Sequence, residues 1–155
     1  MSEIRRIGSQ LRRAYYGKAW HGPSVREALS GVTARQAAER PVAGAHTIWE
    51  ITLHIAAWER VVLKRLRGEP VENIPDEENF PAPPGHSEEA WQATLRDTDD
   101  LHAGLADEVA HLSEERLDEI AAGADYSNRF MLYGLIQHDV YHAGQIALLK
   151  KALTK

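Results

Sequence analysis

Cysteine is absent from the 155 residues. That excludes disulfides, zinc–thiolate sites and a cysteine nucleophile, and it leaves imidazole and carboxylate as the strong metal ligands. No uninterrupted apolar run is long enough to span a bilayer. Behind Met1-Ser2-Glu3-Ile4-Arg5-Arg6 there is none of the apolar stretch that a signal peptide needs. Positive charge is not in excess: 18 Lys and Arg face 23 Asp and Glu, for a formal net charge of −5. That balance argues against a nucleic-acid backbone as partner. No segment alternates in the way that requires a strand, and no internal repeat is visible. A His-Glu-x-x-His motif, a phosphate-cradling glycine loop and a serine elbow are all missing. Glu108-Val109-Ala110-His111 has the Glu-x-x-His form of di-iron bundles, but those need two copies and the chain has one. The expectation is a cytoplasmic protein acting on a small molecule, with no membrane or nucleic acid as partner.

What is present reads as one helical domain over residues 1–155. Hydrophobic residues make up 43% and charged residues 26%, ordinary values for a globular protein. Residues 3–17 form a first helix, with Ile4, Ile7 and Leu11 at helical spacing. Ser24 with Glu27, and Thr33 with Gln36, each fit a reciprocal capping box and start two short helices. A second long helix runs from about 45 to 67 on the stripe Ile48, Ile51, Ile55, Trp58, Val62 and Leu66. Residues 69–86, carrying Pro70, Pro75, Pro81, Pro83, Pro84 and Gly85, cannot make a helix interior. A connection of that length is either a crossover along a bundle or a cover over a site. Ser87 caps a third long helix to about residue 112, on Trp91, Leu95, Thr98, Leu101, Leu105 and Leu112. Residues 113–119 add a turn, and the last helix spans about 127–153 on Met131, Leu135, His142, Ile146, Leu149 and Leu153. Four long amphipathic helices with two long connections predict an all-α four-helix bundle.

The chemistry concentrates in Gln137-His138-Asp139-Val140-Tyr141-His142-Ala143-Gly144-Gln145. Two imidazoles four residues apart lie on one helix face, within reach of one metal ion. His142 falls at the centre of its apolar stripe, and His54 at the edge of the second helix's stripe. A neutral imidazole in a core loses stability unless its ring nitrogens find partners. The alternative, a hydrogen-bonded core histidine at each position, is left open by periodicity alone. If His54, His138 and His142 share an ion, three imidazoles with an open fourth position describe a catalytic site. Such an ion lowers the pKa of a bound water or thiol. The ligand set suits zinc, nickel or iron(II) alike. Glu50 is a candidate fourth ligand or general base, and Asp139 a candidate acceptor for an imidazole N–H; each also fits a structural salt bridge. Trp20, His21, Trp58 and Tyr141, with Trp49, could wall a ligand pocket, although aromatics at helical spacing are core by default.

Trp20-His21-Gly22-Pro23-Ser24, Ile48-Trp49-Glu50 leading into His54-Ile55-Ala56-Ala57-Trp58-Glu59, and His138-Asp139-Val140-Tyr141-His142-Ala143-Gly144-Gln145-Ile146 resemble the DinB-like (YfiT-like) metal-binding superfamily. The resemblance runs in order across nearly the whole chain. It implies a bundle in up-down-down-up order and a divalent metal on His54, His138 and His142. It also implies thiol-dependent chemistry, with a low-molecular-weight thiol as cosubstrate, since characterised relatives include bacillithiol S-transferases and mycothiol-dependent isomerases. Others are described as damage-inducible stress proteins or metal hydrolases, and homodimers are common among them. Ergothioneine-type domains carry a glutamate two residues after the last histidine. Gly144 stands there, against the iron-dependent oxidative branch. The expected function is therefore transfer of a thiol to a small electrophile. The alternatives are a hydrolase using metal-bound hydroxide, with Glu50 or Asp139 moving the proton, and a non-catalytic metal- or ligand-binding protein.

Overall fold

A computed structural model describes residues 2–154. Four long helices carry the fold: α1 (Glu3–Tyr16), α4 (Ile48–Leu66), α6 (Glu88–Ala110) and α7 (Asn128–Leu153). Between α1 and α4 lie the short α2 (Val25–Leu29) and α3 (Ala34–Ala38), and both start with the capping boxes expected at Ser24 and Thr33. A 3₁₀ turn at Glu114–Leu117 follows α6. Among the described residues no strand forms, and the chain is all-α as its periodicity predicts.

Two differences from the sequence reading bear on the site. The second long helix begins at Ile48 rather than near 45, because Thr47 is its N-cap. Thr47 Oγ1 accepts from the Glu50 amide and the Glu50 carboxylate accepts from the Thr47 amide, a third capping box. The proline-rich connection also holds one helical turn, α5 (Asp76–Asn79), opened by Pro75 at its N-cap. Proline is tolerated there because the first amides of a helix have no intrahelical partner.

The core falls into two clusters, and their membership fixes the topology. One joins the end of α1 (Tyr15), the start of α4 (Ile48, Ile51, Ile55), the start of α6 (Trp91, Leu95) and the end of α7 (Ile146, Leu149). The other joins the start of α1 (Ile4, Ile7), the end of α4 (Val62, Leu66), the end of α6 (Leu105, Val109) and the start of α7 (Met131, Leu135). Helices α1 and α7 therefore point one way and α4 and α6 the other, which is the up-down-down-up order. Parallel neighbours need a long return path, and residues 69–86 supply it.

Between the clusters the bundle interior is polar. Glu59, Thr98, His102 and Asp139 are buried there, with His54 and His142 beside them. The expected stripes hold along most of their length, but Trp58, Leu101, Leu112 and Leu153 are only partly buried. At the midpoint Glu59 and His102 take inward positions instead.

Candidate metal centre

Helices α4 and α7 pack side by side, and their periodicity turns His54, His138 and His142 toward one another. One potential ligand atom from each ring falls within 4.8 Å of the other two. The ring centroids are 4.4–4.9 Å apart, and His138 Nε2 lies 3.0 Å from His54 Nε2. His54 and His142 are buried and His138 is half-buried.

The hydrogen bonds behind the rings decide what the front nitrogens can do. His54 Nδ1 lies 2.6 Å from the Asn79 carbonyl oxygen. A carbonyl only accepts, so this nitrogen carries the proton and Nε2 keeps its lone pair. His142 Nδ1 lies 2.6 Å from Gln145 Oε1, with the same consequence. A proton on His138 Nε2 would satisfy one of these two lone pairs, whereas a cation in this space engages all three rings. Burial pushes all three rings down to about 4, so they are neutral and available as ligands at neutral pH. The donor set thus fits a divalent ion, and three neutral ligands leave its charge to be met by an anionic fourth group.

Two residues of the crossover reach the site. Its turn α5 lays Asn79 and Phe80 over the α4 side of the site. Asn79 Oδ1 accepts from Trp58 Nε1 at 2.9 Å. The Phe80 ring stacks on His54 at 3.9 Å and on His46 at 3.7 Å. The segment is both a return path and a cover, and no local signal pairs Asn79 with an imidazole 25 residues earlier. Gln145 is different: it lies one turn after His142 on the same helix, and that spacing was readable.

The other expected site residues are distributed unevenly. Glu50 holds the Thr47 amide at 2.8 Å and Arg40 at 2.8 and 3.1 Å, with His46 Nδ1 at 3.3 Å. Burial alone would raise its carboxyl, but the Thr47 amide and Arg40 hold it below the usual range. It does not join the three imidazoles within ligand distance. Asp139 is fully buried, its Oδ1 3.6 Å from His138 Nδ1, longer than a hydrogen bond. Trp58 stands 6.3 Å from the His138 ring, and Tyr141 is edge-on to His142 at 5.0 Å while largely exposed. Trp20 is fully exposed, and with His21 it lines a shallow pocket against Ile136 and Val140. That pocket is on the opposite side of α7 from the imidazoles.

Beside His138 an apolar pocket of about 250 Å³ opens between α4 and α7, walled by Trp58, Val62, Phe130, Met131, Gly134 and Leu135. Arg65 also lines it; its guanidinium is tied to the Val71 carbonyl and the Tyr126 hydroxyl.

Among the described residues no helix is long and apolar enough to cross a membrane. No curated protein and no solved structure matches the chain. The profile of the DinB superfamily matches residues 19–146, a span that contains all three imidazoles, the whole of α4 and most of α7, and the chain belongs to that superfamily.

Proposed function

We propose that His54, His138 and His142 hold a divalent cation and that the protein transfers a low-molecular-weight thiol to a small electrophile. The observation that carries this reading is the pair of Nδ1 bonds, to Asn79 and Gln145, which leave lone pairs on two front nitrogens facing a third ring. A divalent cation in that position supplies the acidity that converts a thiol to thiolate near neutral pH. No carboxylate joins His54, His138 and His142 within ligand distance among the described residues, so a thiolate would supply the negative charge that a divalent cation there calls for. Cysteine is absent from the chain, so the sulfur comes with a cosubstrate.

The protein's own groups orient and enclose. The pocket beside His138 offers an apolar wall to the electrophile, with Trp58 at its edge, and Phe80 screens the His54 side. The thiol proton would pass to solvent as the thiolate forms, and the sulfur–carbon bond would then form as the electrophile's leaving group departs with its electron pair. Glu50 serves α4's N-terminus and Asp139 stands behind His138, so both shape the site without reaching the sulfur.

Metal-loaded protein given a thiol and a chromogenic alkylating electrophile should consume both faster than buffer or chelated protein does. His142→Ala should abolish that rate with its helical circular dichroism intact. Hydrolysis of esters or amides without thiol would transfer the site to the hydrolytic reading. Metal uptake with no turnover in either panel would leave a binding protein.

A further inference from the structure

We infer that Glu59, His102 and Asp139 form a second, fully enclosed site for a divalent cation in the middle of the bundle. The three come from α4, α6 and α7, and each side chain has no solvent exposure. One ligand atom from each falls within 4.8 Å of the others, a span that small side-chain rotations close onto ~2.1 Å metal–ligand bonds.

Their unmet bonding capacity points to a ligand. Glu59 Oε1 and His102 Nδ1 are 2.6 Å apart. Glu59 Oε2, His102 Nε2 and both oxygens of Asp139 find no hydrogen-bond partner among the described residues. A buried polar atom left unpaired loses its solvation without replacement, so this cluster is destabilising as it stands. Protons on the carboxyls would remove charge yet leave most lone pairs unmet, since both Asp139 oxygens lack a donor and His138 Nδ1 stays 3.6 Å away. A divalent cation answers both deficits. Two carboxylates balance its charge, and their oxygens with the imidazole nitrogen supply a hard-to-borderline donor set suited to manganese, iron(II), cobalt or zinc. Tyr15, stacked on His102 at 3.9 Å, and the flanking core clusters close the site to solvent. The ion is therefore structural, bridging three of the four long helices, whereas the imidazole centre keeps an accessible side.

The test is metal stoichiometry after refolding from denaturant in excess cobalt(II), which removes any barrier to entry. Wild-type protein, desalted and measured by elemental analysis, should carry two ions per chain. His54→Ala/His142→Ala should carry one, released by chelator far more slowly than the first ion of wild type. Glu59→Gln/His102→Gln should also carry one, released quickly. A refolded, helical His54→Ala/His142→Ala protein with no ion overturns the inference, and so does a Glu59→Gln/His102→Gln protein that still holds two. The His54→Ala/His142→Ala variant leaves the buried cluster's residues unchanged, so its result stands even where the buried variant fails to fold. One ion in both wild type and His54→Ala/His142→Ala would instead overturn the imidazole centre and leave the buried site in place.

Discussion

Replacing Gln145 by leucine tests the reasoning that the bonds behind the imidazoles make the site. The substitution keeps side-chain bulk and helix propensity at a half-buried position, and removes one acceptor, 2.6 Å from His142 Nδ1. In the metal-free protein that loss is modest. Once Nε2 coordinates a cation, the ring is polarised and Nδ1–H becomes a stronger donor, so the missing acceptor weighs more in the bound state. Loss of such an outer partner typically lowers metal affinity 10–100-fold, about 1.4–2.7 kcal/mol. Competition for zinc against a chromophoric chelator measures this directly, with Gln145→Glu as the companion. The glutamate restores an acceptor and adds negative charge behind the ring, so its affinity should equal or exceed wild type. Both chelated variants should melt within a few degrees of wild type. An affinity for Gln145→Leu within about twofold of wild type, or a glutamate variant as weak as the leucine one, would refute the idea that these bonds set the ligand nitrogens.

Gly123 has φ +77° and an added Cβ would meet the Val71 backbone at 2.6–2.8 Å, so Gly123→Ala should destabilise by more than about 2 kcal/mol in urea unfolding. Gly68→Ala, at φ +81° with open space around it, should show only the left-handed penalty of about 1 kcal/mol; equal losses would contradict the close approach. Chelated protein should be most stable between about pH 6 and 7. Burial holds His54, His102, His138 and His142 at about 4, so below 6.5 the unfolded chain binds protons that these rings refuse and stability falls with pH. Burial raises Asp139 to about 7 and Glu59 well above its ordinary value, which opposes that trend and makes stability fall again as pH rises through Asp139's range. Four rings against two carboxyls leave the acid limb dominant, and thermal melts in chelator that keep rising to pH 8.5 would contradict this balance. Glu50→Ala should cost about 1 kcal/mol through the lost capping box and leave zinc affinity within about twofold. A tenfold fall in affinity or turnover at unchanged stability would place Glu50 in the chemistry instead.

Periodicity and capping fixed the long helices, and four-residue spacing put His138 and His142 on one face, because both depend only on neighbours within a turn or two. The Thr47–Glu50 box obeys the same local rule as those at Ser24 and Thr33. Glu50 one turn before His54 has the spacing of a ligand as well as that of a cap, and the local pattern alone does not separate the two. Glu59 and His102 were also legible in outline, each an ionisable residue at an inward position of an otherwise apolar stripe. Their meeting with Asp139 was not, since it depends on the relative heights of three helices that no single-helix pattern encodes. The path of the crossover was equally out of reach. Prolines showed that residues 69–86 resist helix, but only packing decides that Asn79 and Phe80 come to rest on His54. Trp20 and His21 show the converse: they sit in a family-like motif, yet the chain turns them to the far side of α7. Local sequence thus determined which side chains face inward along each helix. The tertiary structure decided which of them touch, because contact across helices depends on rotation, height and crossing angle summed over the whole bundle.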